Sequence, residues 1–507
     1  MLKKMAAMML ALFLMVSGAA AEDLNGETVS VLAMNSAYAT VDLSEAEIFH
    51  EIERRVNVKL EWHLIDPTVY GVSVARMLAD GWENVPDVIQ MPGLDLNMNY
   101  LSTGRVVRLD DYMEMMPNFS AFLEENPDIR AELTAVDGHI YYVPQTAVTR
   151  NYQPVLMVNQ RWLEKAGMDA PETLDDMVEL LRYFRDHDMN GDGRTDDEYP
   201  LSLMNEFLRR MFGPAFGLDL QSGYYADADN TVHYGPYEQD AYRAYLSFLH
   251  DLYEEGLLAD DFITLTREQI VDRCEQDQTG VIFDFSWQMS NLYSAACEGY
   301  DGTEGIWTGI APLDGECEGF YTGRNAISSI FAVNAESKHV ETAVRFLDWA
   351  MGNEAQDLYV WGLEGLTYEK DENGKRHYLP RCTEDPEWFQ SLGMNAPCLP
   401  SRQSVQATDI LLPEWHVKND REYEEPYIRM PFPNVYATEK EAAVMNMYEP
   451  AISTYVSEMA MAFICGYEDI ETEFDGYIET LKSMQVEAVI ETRQAQWDRY
   501  IRTMKAE

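Results

Sequence analysis

The densest chemistry in the sequence is an acidic loop, Asp188-Met189-Asn190-Gly191-Asp192-Gly193-Arg194-Thr195-Asp196-Asp197-Glu198. It follows the pattern D-x-[DN]-x-[DN]-G. Oxygens at its first, third and fifth positions converge on one point because Gly193 lets the backbone turn sharply. A hard cation that takes about six to eight oxygens suits Asp188, Asn190, Asp192, the Arg194 carbonyl, Asp196, and either Asp197 or Glu198. Where calcium-sensing loops carry a closing bidentate Glu, this chain has Tyr199, and Pro200-Leu201 reads as a strand rather than a second helix. The pattern predicts a fixed structural calcium, not a sensing helix pair.

Catalytic patterns are missing. The sequence has no G-x-S-x-G, no G-x-x-x-x-G-K-[ST] and no G-x-G-x-x-G. His50-Glu51 opens an H-E-x-x-H, but Arg54 stands in the fifth place. With 88 acidic residues, chance carboxylate pairs are certain, so pairing alone does not indicate a glycosidase. Aromatic residues point instead to sugar faces, whose C–H surfaces stack on aromatic planes. Trp82, Trp287, Trp307, Trp361 and Trp415 stand where strands end or loops begin. Trp287 is the first choice, because it follows Phe283-Asp284-Phe285-Ser286 at a strand's carboxyl end. Trp162 and Trp349 lie in helical patterns and read as core.

The elements that must position these residues alternate. Val29–Met34 reads as a buried strand, Ser44–Arg55 as a helix, Val58–Ile65 as a strand, Val72–Ala79 as a helix and Asp87–Gln90 as a short strand. This βαβαβ order predicts parallel strands with crossover helices. Ligands of such sheets sit at the carboxyl ends, here Asn35, Ser36, Asp66, Met91 and Gly93. A second α/β region begins after Tyr141-Tyr142-Val143-Pro144. In it, Val155–Val158 and Val281–Phe285 read as strands, and Thr173–Phe184 and Ala241–Tyr253 as helices. Thr173 and Asp176 form a capping-box pattern. From Glu439 onward the chain is helical.

The 37 basic and 88 acidic residues leave a net charge of −51, which disfavours nucleic acid and anionic membrane surfaces as partners. The 46% hydrophobic content is that of a folding chain of two or three domains. Lys3 and Lys4, the apolar run Met5–Val16 and the small residues Ser17–Ala21 read as a secretory leader over residues 1–21, cleaved near Ala21. The mature chain is expected to be exported, to the periplasm or the cell surface. No cysteine stands at the cleavage point, so no N-terminal lipid anchor is expected. Six cysteines in an oxidising compartment permit disulfides, and the spacing makes Cys382–Cys398 the expected bridge.

A series of phrases then resembles a known family. They are Pro86-Asp87-Val88, Gly104–Tyr112, Asp137–Pro144, Trp162–Gly167, Glu254–Leu258, Gly362–Leu366 and Phe463–Gly466 followed by Glu468-Asp469-Ile470. In this order, over nearly the whole mature chain, they resemble the family 1 extracellular solute-binding proteins of ABC importers. Within that family the chain is most similar to the large oligosaccharide-binding members, alginate binders included. The resemblance implies an α/β, two-lobed, type II periplasmic-binding-protein-like fold, with a ligand cleft between lobes joined by hinge segments. The first lobe is expected over 22–145 and 310–365, and the second over 146–309 and 366–507. It also implies that the calcium set is Asp188, Asn190, Asp192, Arg194, Asp196 and Asp197, bracing the second lobe.

The implied function is non-enzymatic: capture of an oligosaccharide by hinge closure and its delivery to ABC permease subunits, by a monomer. Trp287 and the other four tryptophans are the expected stacking platforms, and Asn35, Asp66, Asp284 and Arg324 the expected polar set. The alternatives are a secreted polysaccharide hydrolase or lyase, or a binder of peptides or another non-sugar solute on the same scaffold.

Overall fold

The computed structural model describes residues 23–35, 43–92, 98–147, 153–394, 398–403, 409 and 412–505. The expected leader, and Ser36 and Gly93 of the expected crevice, lie outside the described residues. The chain divides into two compact units. One holds the chain up to Pro127, with Asp137–Thr146 and Ser329–Arg402; the other holds Asp128–Val136, Ala147–Ser328 and Gln403–Glu507.

The first unit opens with β1 (Glu27–Met34), β2 (Val58–Ile65), β3 (Val88–Met91) and β4 (Val143–Ala147). The second takes β5 (Pro154–Asn159), β6 (Tyr199–Ser202), the hairpin β7 (Tyr224–Ala226) and β8 (Val232–Tyr234), then β9 (Thr279–Phe285), β10 (Trp307–Gly309) and β11 (Tyr321–Thr322). The chain returns through β12 (Ile327–Val333), the hairpin β13 (Tyr368–Lys370) and β14 (Arg376–Tyr378), and β15 (Arg402–Gln403). It ends in the second unit with β16 (Ile428–Arg429) and long helices over Glu439–Ile464, Ile470–Ser483 and Val486–Lys505.

In the first unit six strands lie in the order β15-β4-β12-β3-β1-β2. β1 runs parallel to β2 and to β3, as the βαβαβ reading predicts, whereas β12 is antiparallel to β3 and makes the sheet mixed. The crossover helix Glu47–Val56 buries Ile48, Phe49, Ile52 and Val56, one apolar stripe at helical spacing. Between the first three strands and their helices, Val29, Val31, Leu32, Ala33, Val74, Val88 and Ile89 are fully buried.

In the second unit the sheet order is β10-β5-β9-β6, with β9 antiparallel to β5 and parallel to β6. The helix Leu174–Asp186 starts at the predicted capping box of Thr173 and Asp176 and buries Leu174, Met177, Leu181 and Phe184. Gly280 allows its close approach: a Cβ there would meet Phe184 Cδ2 at 2.4 Å and Trp162 Cε3 at 2.8 Å. A short helix, Pro127–Leu133, lies in sequence amid first-unit segments yet, from Asp128, groups with the second unit. There Ala131 joins Val435 and Tyr500 in a small apolar cluster. Glu132 is 6% exposed, and its Oε2 has no hydrogen-bond partner. Burial, with the charge of Asp128 beside it, pushes the Glu132 carboxyl up to about 8.

Three sequence expectations change. The chain re-enters the first unit at Ser329 rather than 310, because β10 and β11 pair with β5 and β16 of the second. The first unit keeps the chain to Arg402 rather than 365, because the β13–β14 hairpin packs Tyr368 and Tyr378 on Trp361 and because β15 is the edge strand of its sheet. All six cysteines are free thiols. Instead of bridging Cys398, the Cys382 thiol donates to the Thr367 carbonyl at 3.1 Å, and Cys398 is wholly buried.

Candidate functional site

The acidic loop leaves the helix Leu174–Asp186 and runs into β6, the strand that Pro200-Leu201 predicts. It turns at Gly191 (φ 84°) and Gly193 (φ 92°), where the left-handed backbone favours glycine. The buried Met189 side chain anchors it, and Lys165 Nζ donates to the Met189 carbonyl at 3.1 Å. Its carboxylates turn onto the loop's own amides. Asp188 accepts from the N–H groups of Gly191 and Gly193, Asn190 from that of Asp192, and Asp192 from that of Arg194. Arg194 Nε donates to Asp196 at 2.9 Å and holds that carboxyl below its ordinary value. Among the described residues no three His, Cys, Asp or Glu side chains are gathered as a metal set.

Two oxygens at the loop's exit nevertheless fit a hard cation. Asp197 Oδ1 and Glu198 Oε2 are buried with no hydrogen-bond partner. Asp197 Oδ2 accepts from Gln278 Nε2 at 2.8 Å, and Glu198 Oε1 accepts from the Met189 N–H at 2.8 Å. Arg194 Nε stands 3.8 Å from Asp197 Oδ1, an ion pair without a hydrogen bond; a buried carboxylate oxygen that accepts no hydrogen bond is costly, and a divalent cation would satisfy it. All the donors present are oxygens, the set a hard cation takes.

At the far end of β9 stands Trp287, half-buried in the turn after Phe285, between buried Ser286 and Gln288. Asp284, offered by the sequence as a ligand contact, does other work. Its side chain is fully buried and takes both Arg267 Nε (2.7 Å) and Arg267 Nη2 (2.9 Å), and the Tyr293 hydroxyl donates to it as well. These partners occupy both carboxylate oxygens, so Asp284 is an internal brace behind the turn.

Beneath the same turn lies a buried polar stripe that the sequence reading missed. His416, Asp420 and Glu424 follow one another at four-residue steps along the helix Glu414–Tyr423 and its C-cap, and all three are buried. Gln153 Nε2 donates to Glu424, Ser290 Oγ is hydrogen bonded to His416 Nδ1 at 2.6 Å, and His416 Nε2 stands 3.4 Å from Asp420 Oδ1. Burial first, and the neighbouring Asp420 second, hold the Glu424 carboxyl well above the carboxylate range. The legible signal was a polar i, i+4, i+8 pattern on a helix whose core face it occupies.

The remaining candidates fall in different places. Trp82 is 2% exposed and packs edge-on to Tyr100, and Trp307 is fully buried in the second-unit core. Neither presents a ring face to a ligand. Trp415 packs on Tyr300, and its ring lies so close to Gly305 that a Cβ there would approach within 2.4 Å. Trp361 is partly buried under the β13–β14 hairpin, with Arg376 over its ring. Asn35 and Asp66 are brought together at the carboxyl ends of β1 and β2. Asn35 N–H donates to Ile65, and Asp66 accepts from the Thr68 amide at 2.8 Å. Buried Gln90, bonded to Met34 N–H and to Ser329 Oγ, completes this edge of the first unit and was not foreseen. Arg324 is exposed in the segment after β11.

The sequence matches the bacterial extracellular solute-binding protein family over residues 52–357. It is 25% identical to the fructooligosaccharide ABC transporter substrate-binding protein FusA of Streptococcus pneumoniae serotype 4, over 94% of this chain and 90% of that one. The solved alginate-binding protein AlgQ2 without calcium ion superposes with a TM-score of 0.74 at 20% identity, covering 95% of this chain and all of that one. A solute-binding protein of Bifidobacterium longum infantis, described as binding HMO, superposes with a TM-score of 0.75 at 18% identity, over 94% and 99%. The fold is that of the two-lobed type II solute-binding proteins.

Proposed function

Because the chain belongs to the bacterial extracellular solute-binding proteins, we propose that it is an exported, non-enzymatic capture component that delivers an oligosaccharide to an ABC importer. The observation that carries this reading is Trp287, half-buried at the carboxyl end of β9 with buried polar side chains on either side. A partly open indole offers stacking area to a sugar face. Asn35 and Asp66 at the strand ends of the first unit supply polar groups of the kind that bond hydroxyls. Closure of hinged lobes on a ligand that touches both is favoured by that ligand's differential affinity. The relatives support the sugar: FusA is named for fructooligosaccharides and AlgQ2 for alginate.

The acidic loop would hold a structural calcium through Asp188, Asn190, Asp192, the Arg194 carbonyl, Asp196 and Asp197. The buried Asp197 oxygen that accepts no hydrogen bond supports this, as do the calcium and the EF-hand named for solved relatives. When bound, the ion neutralises crowded carboxylates and fixes the turn into β6. ABC permease subunits are the partners, and the working form is a monomer.

A thermal-shift screen against oligosaccharides tests the reading. A true ligand raises the melting temperature with concentration as RT ln(1 + [L]/Kd), and the sugar is recovered unchanged. Turnover of a glycan, or stabilisation by peptides alone, would replace this reading with one of its alternatives.

A further inference from the structure

In the second unit two arginines, Arg210 and Arg429, stand by Asp219, and a third, Arg324, adjoins them. Arg210 lies on the short helix Leu208–Met211. Arg429 is on β16, where it pairs with Thr322 of β11, and Arg324 follows one residue beyond Gly323, whose N–H donates to the Arg429 carbonyl at 2.8 Å. Arg210 and Arg429 both feel the charge of Asp219, and Arg210 also feels Glu206 and the repulsion of Arg324. Among the described residues none of the three makes an ion pair with a carboxylate. Asp219 is satisfied otherwise, by the Gln221 amide at 3.1 Å and by Thr322.

This local balance, three guanidinium groups to two carboxylates, inverts that of the whole chain, which has 37 bases to 88 acids. The cluster is also held in place. Arg429 Cζ lies 4.1 Å from the buried Phe320 ring, and Gln221 Nε2 donates to the Gly323 carbonyl. Arg210 packs beside Phe207, which meets Phe285 edge-on at 5.4 Å, two residues before Trp287. The Tyr321 hydroxyl, next to Thr322, accepts from the Leu156 N–H of β5. Planar guanidinium groups match carboxylates in pairs of parallel hydrogen bonds, and a partly buried guanidinium without a counter-ion gains from one. A negatively charged ligand would otherwise meet the repulsion of the surrounding surface.

We infer that Arg210, Arg324 and Arg429 form an anion subsite of the second unit, and that the oligosaccharide this protein takes carries carboxylate groups. The inference rests on the capture reading above and narrows its substrate class.

Calorimetric titration of the whole chain with oligogalacturonates and oligomannuronates, their methyl esters, and neutral fructo- and gluco-oligosaccharides tests it. The expected result is at least tenfold tighter binding of an acid than of its ester, with an advantage that shrinks as salt rises. Arg210→Gln and Arg429→Gln should each weaken the acid about tenfold and leave the ester unchanged. Thermal melts at the wild-type temperature would show that these variants are folded. Equal affinity for acid and ester, or a preference for a neutral sugar, overturns the anion subsite while the capture reading stands. Binding of no saccharide at all overturns both.

Discussion

Replacing Glu132 with Gln should change how stability depends on pH, and the effect can be sized from the structure. The folded carboxyl keeps its proton up to about pH 8, against an ordinary value of 4.5. Between those limits folding takes up a proton, so the free energy of unfolding falls as pH rises, with a limiting slope of about 1.4 kcal/mol per pH unit. The contribution is whole below pH 4.5 and gone above pH 8. From pH 5 to pH 7 this one residue therefore removes about 2.7 kcal/mol, as an upper figure. In a unit of roughly 300 residues that corresponds to about 4 °C in melting temperature. The Gln side chain cannot titrate, so wild type and Glu132→Gln should diverge steadily with pH in urea titrations at pH 5, 6 and 7. Any constant offset from the lost or gained hydrogen bond is irrelevant. Parallel curves would refute the reasoning, because they would mean that Glu132 is already ionised in its apolar cluster.

Four further outcomes follow. Chelator should lower the melting temperature of wild type but not of a variant carrying Asp188→Ala with Asp192→Ala; identical responses would remove the metal from the account. Trp287→Ala should weaken oligosaccharide binding about tenfold in titration calorimetry with little change in melting, since its ring is only half-buried. Arg267→Met should cost about 3–5 kcal/mol in urea unfolding by orphaning the buried Asp284, and much of that should return in Arg267→Met with Asp284→Leu. Gly280→Ala, whose new methyl would strike Phe184 and Trp162, should lose about 1–3 kcal/mol.

The elements were largely legible, because one rule, apolar periodicity, governs both their formation and their burial. Val58–Ile65 coincides with β2, and the Thr173–Asp176 box starts its helix where the pattern places it. The strand running into β6 followed from Tyr199-Pro200-Leu201. What the sequence hid was pairing at a distance. Nothing local to Asp284 says that Arg267 will cap it, so a carboxylate at a strand end passed for a ligand contact. Trp82 and Trp307 sit at loop edges in the chain yet are buried in space, because position along a strand does not report which layer covers it. Gln153 and Glu424 are far apart in sequence, and the antiparallel pairing of β5 with β9 brings Gln153 to Ser286, where it donates to Glu424.

Strand β9 has a mechanical consequence. At its start Gln278 grips Asp197 of the acidic loop, and two residues past its end stands Trp287. Between them seven residues span about 23 Å of extended backbone. Hydrogen-bonded ladders on both sides prevent this rod from sliding, and Trp162 and Phe184 clamp it over Gly280. A tug on Asp197 therefore reaches the indole as a tilt of one stiff beam, not as a relay of side-chain adjustments.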